Sequence, residues 1–154
     1  MKTSRRAFLR LGGASAGIAA FHIAPSRVFG QTAPSSRIAL GVIGAGVRGT
    51  AHVEAFLGMK DVAVRAVCDS DRGKRAAARA LVDRCYGDSG CGAADDYREL
   101  CARTDLDAVV IAAPNREHAR IGLEALRRGK DVFGETPFAH SYEEGRALAE
   151  EVAR

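Results

Sequence analysis

The chain has 154 residues, 47% of them hydrophobic and 27% charged, the balance of one globular domain rather than of a disordered or membrane-embedded polypeptide. Its formal net charge is +4, but residues 1–30 hold Lys2, Arg5, Arg6, Arg10 and Arg27 and no acid, leaving 18 basic against 19 acidic residues in the body. A body without a basic field excludes a nucleic-acid binder.

The first element is a leader. Ser4-Arg-Arg-Ala-Phe-Leu-Arg10 precedes a mildly apolar stretch from Leu11 to Ala24, too short to span a bilayer. A charged start, an apolar middle and a small-residue exit make a cleavable export signal, with Val28 and Gly30 suiting a cut after Gly30. The paired Arg5-Arg6 followed by Phe8-Leu9 resembles the twin-arginine type. That route moves folded proteins, so it predicts transient contact with the twin-arginine machinery, cofactor loading in the cytoplasm and a periplasmic destination. Gln31 to Ser36 is a small polar linker, and residues 37–154 form the domain.

Arg37 to Ile43 reads as a short buried strand. Gly44-Ala-Gly-Val-Arg-Gly49 then turns the chain into a helix to about Leu57, stopped by Gly58. Val62 to Val67 is a second strand ending at Cys68-Asp69, and Asp71 to about Arg84 a helix. Tyr86 to Ala94 reads as a glycine-rich loop. Asp96-Tyr-Arg-Glu99 opens a short helix as a capping box. Ala108 to Ala112 is a continuous apolar strand, as parallel sheets require. Pro114-Asn115 is read as a turn, Glu117 to Arg128 as a helix closed by Gly129, Asp131 to Gly134 as a strand, and Ser141 as the cap of a last helix. Regular alternation predicts an α/β fold: a doubly wound parallel Rossmann sheet in three αβα layers, with right-handed crossovers.

The chemistry sits at the glycine turn. A diphosphate approaches the first turn of a helix to use its free N–H groups and positive dipole end. Gly44 permits the tight turn, Gly46 leaves room for the phosphates, and Gly49 lets the helix pack close to the strand. A three-glycine pattern alone is weak; here it follows an apolar strand and opens a helix. Asp69 lies 20 residues after Gly49 at the end of the second strand. A carboxylate there accepts hydrogen bonds from the adenosine ribose hydroxyls and repels a 2′-phosphate, favouring NAD over NADP. Two alternatives stay open: Asp69 as a plain helix cap, a role Asp71 also fits, and Arg72 meeting the phosphate of NADP.

Beyond the turn, Gly41 to Gly49, Val67-Cys-Asp69, Asp96-Tyr-Arg-Glu-Leu100, Asp107 to Pro114 and Gly129-Lys-Asp-Val-Phe-Gly-Glu-Thr-Pro137 occur in order. This series resembles the Gfo/Idh/MocA oxidoreductase family across residues 37 to 154, and the Tyr86-Gly-Asp88 loop resembles exported members. The resemblance implies an NAD(P)-binding Rossmann domain followed by a C-terminal α/β domain, and hydride transfer at a carbon of a sugar or cyclitol. It places Asn115 and His118 at positions that line the nicotinamide side of the cleft; a surface place on the first helical turn is the other reading of His118. Relatives carry Glu-Lys-Pro where this chain has Glu135-Thr136-Pro137. Thr136 offers a hydroxyl but no charge.

The candidate cofactor-binding set is therefore Gly44, Gly46, Val47, Arg48, Gly49, Asp69, Ala113, Asn115, His118 and Glu135, with no catalytic residue and no metal ligand assigned. The sequence closes in the helix after Glu135-Thr-Pro137, before the substrate domain that the resemblance implies. The expectation is an NAD(P)-binding portion of a larger enzyme, or a binding-only module or relic without turnover of its own. A sugar-like partner requires a substrate domain. Of the cysteines, Cys68 and Cys101 read as core; Cys85 and Cys91 read as buried or loop thiols, with a disulfide as the alternative in an oxidising periplasm. His52 reads as a helix-surface residue, and His140 as packing in a loop.

Overall fold

A computed structural model describes residues 37–154. The leader and linker readings fall outside the described residues. In chain order the elements are β1 (Ile38–Ile43), α1 (Val47–Leu57), β2 (Val62–Cys68), α2 (Arg72–Tyr86), β3 (Gly92–Ala94), α3 (Tyr97–Cys101), β4 (Ala108–Ile111), α4 (Asn115–Arg127), β5 (Asp131–Gly134) and α5 (Tyr142–Val152). The strands form one sheet in the order β3-β2-β1-β4-β5, and every neighbouring pair is parallel. The expected doubly wound Rossmann architecture is what the chain adopts.

Alternation along the strands sends side chains to two cores. Leu40 and Val42 of β1 meet Val53 of α1 and Val82 of α2 on one face. Ile43, Val109 and Ile111 meet Leu100 of α3 and Ile121 of α4 on the other. Both faces are covered, which is why β1, β2 and β4 read as nearly unbroken apolar runs. Outside α4, Leu148 of α5 is buried, and Gly122 gives Phe138 and Leu148 room to approach. Strand order reverses between β1 and β4, so their connections leave to opposite faces and open a crevice at the carboxyl ends of the strands.

Two local expectations are corrected. The Tyr86–Ala94 segment is not all loop. Tyr86 belongs to the last turn of α2, where its hydroxyl accepts from the Val64 N–H at 3.0 Å. Gly92 to Ala94 adds an edge strand to β2, with Ala66, Val67 and Cys68 as its partners. Small residues without alternation hid that strand; the long β2 beside it supplies the pairing. Gly58 ends α1 as expected, at φ −78° rather than in a left-handed turn. Gly87 takes that conformation after α2 and Gly129 after α4, at φ +71° and +69°. Asn115 is the first residue of α4 rather than part of a turn, following Pro114 at the cap.

Helix starts fall into two groups. Asp71, Asp96 and Ser141 cap α2, α3 and α5 with side-chain oxygens that accept from backbone N–H groups two or three residues on. Backbone hydrogen bonds, from Lys74 and Gly73 to Asp71 and from Arg98 to Asp96, hold both carboxyls below the usual carboxylate range. Both caps are therefore charged at neutral pH, and their contribution is lost only as pH falls through those lowered values. The starts of α1 and α4 have no side-chain cap.

Candidate functional site

The uncapped starts of α1 and α4 stand on either side of the crevice. Between them runs an open groove of about 680 Å³, bordered by Gly44, Gly46 and Val47 from the glycine turn, Asp69 from the end of β2 and Ala113 and Pro114 from the end of β4. A smaller recess continues it past Ala112 and Ala113 to Asn115, His118, Glu135 and Thr136. Arg48 borders both. Nine of the ten sequence-derived residues thus lie along one continuous depression. The tenth, Gly49, is buried beneath the turn.

The three glycines prove to do different work. Gly44 has φ +93°, and a Cβ there would sit 2.6 Å from the Ala112 backbone. A Cβ on Gly49 would come within 1.7 Å of the Gly44 carbonyl oxygen. Both are required by the fold itself. Gly46 has φ −70°, open to any residue, and its Cβ would meet nothing within 4 Å. No packing demand explains a glycine there. Beside it Val47 is 94% exposed on the first turn of α1, a helix start with neither cap nor acid to satisfy its N–H groups. A glycine facing open space at an unsatisfied helix start fits the diphosphate of a dinucleotide.

Asp69 holds the turn as well as facing the groove. Its Oδ2 accepts from the Ala45 N–H at 2.7 Å and its Oδ1 from the Asp71 N–H at 2.8 Å. Asp71 is the cap of α2, which settles the helix-cap alternative in favour of Asp71. Each carboxylate oxygen keeps a second lone pair for a ribose hydroxyl. Asp69→Ala is therefore expected to act twice. It leaves the N–H of buried Ala45 without an acceptor, at a cost of about 1–3 kcal/mol, and it weakens NAD binding; urea unfolding and calorimetric titration of one preparation separate the two. Lys74, rather than Arg72, is the cation that borders the groove beside Asp69. Cys68 lies against this end too, and burial, with Asp69 nearby, pushes its thiol up to about 12. Burial likewise raises Cys91 and Cys101 to about 11, and Cys85 and Cys91 are free. None of the three buried thiols is a nucleophile at neutral pH.

Two histidines differ from expectation. His118 is 1% exposed, not a surface residue: Nε2 lies 2.7 Å from the Ala113 carbonyl oxygen and Nδ1 3.1 Å from that of Glu135. It stands between the two loops that wall the recess; both facing groups are acceptors, so a neutral ring donates to one of them. His52 is half-buried rather than on the helix surface, with Nε2 2.9 Å from Glu135 Oε1 and its ring edge-on to Phe133. Both partners, Phe133 in β5 and Glu135 just after it, lie more than eighty positions away in sequence, which no local pattern reveals. His140 is exposed, and its N–H donates to Glu144.

Fold and groove together define a dinucleotide-binding Rossmann domain. The chain belongs to the Gfo/Idh/MocA family of oxidoreductases, matching the family's NAD-binding Rossmann fold over residues 38–154. It is 33% identical over 159 aligned positions to a glycosyl hydrolase family 109 protein of Shewanella sp. strain W3-18-1, covering 91% of this chain and 35% of that protein. Among solved structures, a putative myo-inositol dehydrogenase from Sinorhizobium meliloti 1021 superposes with a TM-score of 0.63 at 31% identity, covering 75% of this chain and 33% of that one. A levoglucosan dehydrogenase in complex with NADH superposes at 0.65 with 27% identity, over 76% and 32% of the two chains. The chain thus spans about a third of the length of these relatives.

Proposed function

We propose that residues 37–154 are the NAD-binding domain of an exported oxidoreductase acting by hydride transfer on a sugar or cyclitol. The carrying observation is Gly46, a glycine that the fold does not need and an approaching diphosphate does. The likeness to a putative inositol dehydrogenase and to a levoglucosan dehydrogenase supports the substrate class. NAD, when bound, supplies the hydride acceptor or donor. The chain's own residues bind and orient: the first turns of α1 and α4 offer N–H groups, Asp69 accepts from the adenosine ribose, and Ala113 and Asn115 wall the path into the recess.

Among the described residues none in the recess is placed as a general base. His118 has both ring nitrogens against backbone carbonyl oxygens and Glu135 is engaged by Arg48 and His52. Thr136 has no charge to offer. The reading is tested with the full-length gene product, NAD and a panel of free sugars and inositols. NADH formation with a panel member supports it; a complete lack of NAD binding refutes it.

A second reading rests on the glycosyl hydrolase name of the relatives matched at 33% identity. Some glycoside hydrolases use NAD, and a cycle that returns NAD to its starting state releases a sugar without net NADH. Aryl-glycoside cleavage by the same full-length product, with no accumulation of NADH, would favour this reading over the first.

Residues 1–30 are proposed as a twin-arginine leader, residues 31–36 as a linker, and the periplasm as the destination, on the strength of Arg5-Arg6 and the acid-free apolar run. Arg5-Arg6→Lys-Lys is expected to retain the protein in the cytoplasm by fractionation; continued export would contradict that route.

A further inference from the structure

One side-chain network crosses from the glycine turn to the far wall of the recess. Arg48 and His52 are four residues apart on α1 and so share a face. Both reach Glu135, which follows β5: Arg48 Nε lies 3.0 Å and His52 Nε2 2.9 Å from the same oxygen, Oε1. The three differ in exposure. The side chain of His52 is 17% exposed and held by the rings of Phe133 and Phe56; that of Glu135 is 32% exposed; that of Arg48 is 70% exposed. Order is thus passed outward from a packed ring, through a carboxylate, to an open guanidinium.

Among the described residues no hydrogen bond engages the Nη1 or Nη2 of Arg48, and Nε is the atom that comes nearest to Glu135. A guanidinium is a rigid planar fork, so an ion pair on one side restricts the directions open to its other N–H groups. Arg48 borders both the phosphate-side groove and the recess, as Ala112 and Ala113 do, and is the charged residue of the three; it lies one residue beyond exposed Val47 and two beyond Gly46. A dinucleotide extending from one to the other passes it.

We propose that Arg48 is a side-chain clamp for the diphosphate and that Glu135, backed by His52, is its positioning residue rather than a ligand contact. This rests on the NAD-binding reading above and names how that same site is organised. The carboxylate does not repel the ligand's negative charge to any useful end; it orders a flexible cation beforehand. The entropy of immobilising a long side chain is then spent on folding instead of on binding. Charge-assisted N–H···O contacts from the free fork give the return.

The test is a double-substitution cycle on the full-length protein, read as Kd by calorimetry for NAD, ADP-ribose and adenosine. The wild type should bind NAD. Arg48→Ala is expected to weaken NAD and ADP-ribose by roughly thirtyfold, and Glu135→Gln by about tenfold. Adenosine, which has no diphosphate, should be unaffected by either. In the Arg48→Ala background, Glu135→Gln should add nothing. A full tenfold loss on adding Glu135→Gln to Arg48→Ala would make Glu135 a direct contact and overturn the proposal. Equal losses for adenosine would overturn it too, by showing general disruption. Circular dichroism of each variant checks folding, and Arg48→Lys, which keeps the charge without the fork, should recover less than half of the lost binding energy; full recovery would contradict the role of the fork. If the wild type binds adenosine but neither diphosphate ligand, the NAD reading itself fails and the clamp falls with it.

Discussion

Gly46→Val is expected to abolish measurable NAD binding while leaving the domain folded. The backbone at Gly46 has φ −70° and ψ −169°, extended values that a β-branched residue adopts readily, and a Cβ there touches no protein atom within 4 Å. Stability should therefore change by no more than about 0.5 kcal/mol. The valine methyls project into the space beside the first turn of α1, which is where a diphosphate must come to reach the exposed N–H groups. A loss of affinity of at least about a hundredfold follows, since blocking close approach removes several N–H···O contacts together. Calorimetric titration and urea unfolding of wild type and variant check the two halves. Unchanged NAD affinity would remove the site from this turn.

Gly49→Ala, three residues away in the same motif, is expected to do the reverse. Its Cβ would lie 1.7 Å from the Gly44 carbonyl oxygen and 2.8 Å from the Gly44 carbonyl carbon. Both are backbone atoms of a turn that is itself pinned: the Gly44 N–H donates to Cys68 and Gly44 packs against Ala112. No rotamer change relieves such a contact. Either α1 moves off the sheet, pulling Val53 from the core, or the turn opens. Overpacking of this kind costs typically 1–3 kcal/mol, and against fixed backbone the upper end, about 3 kcal/mol, is expected. That is a large part of the stability of a small domain. The midpoint of urea unfolding should fall sharply; an unchanged midpoint would mean that α1 does not pack as described.

The contrast between these two glycines shows what a sequence pattern carries and what it does not. The spacing Gly44-x-Gly-x-x-Gly49 after an apolar strand announced the turn, the helix it opens and the place of Asp69, because those follow from chain-local periodicity and turn chemistry. It treated the glycines as one motif. Only the three-dimensional surroundings separate Gly44 and Gly49, which the fold demands, from Gly46, which it does not. The same limit explains the histidines. His118 and His52 were visible as helical residues, but their partners Ala113, Phe133 and Glu135 are brought to them by β4 and β5, so burial and hydrogen bonding were not readable from position. The β3 strand was missed for a related reason: Gly92-Ala-Ala94 has no intrinsic strand signal, and the edge of β2 imposes its pairing. Asp71, in contrast, was legible as a cap from sequence because a cap is a local device.

The central claim, that a dinucleotide sits against the uncapped starts of α1 and α4, is tested most directly by amide NMR of the ¹⁵N-labelled chain titrated with NAD. Saturable shifts concentrated on Gly46, Val47, Arg48 and Gly49, with Asp69, Ala113 and Asn115 following at the same ligand concentrations, are the predicted result. Shifts that leave the Gly46–Gly49 amides unmoved at saturating NAD would contradict it.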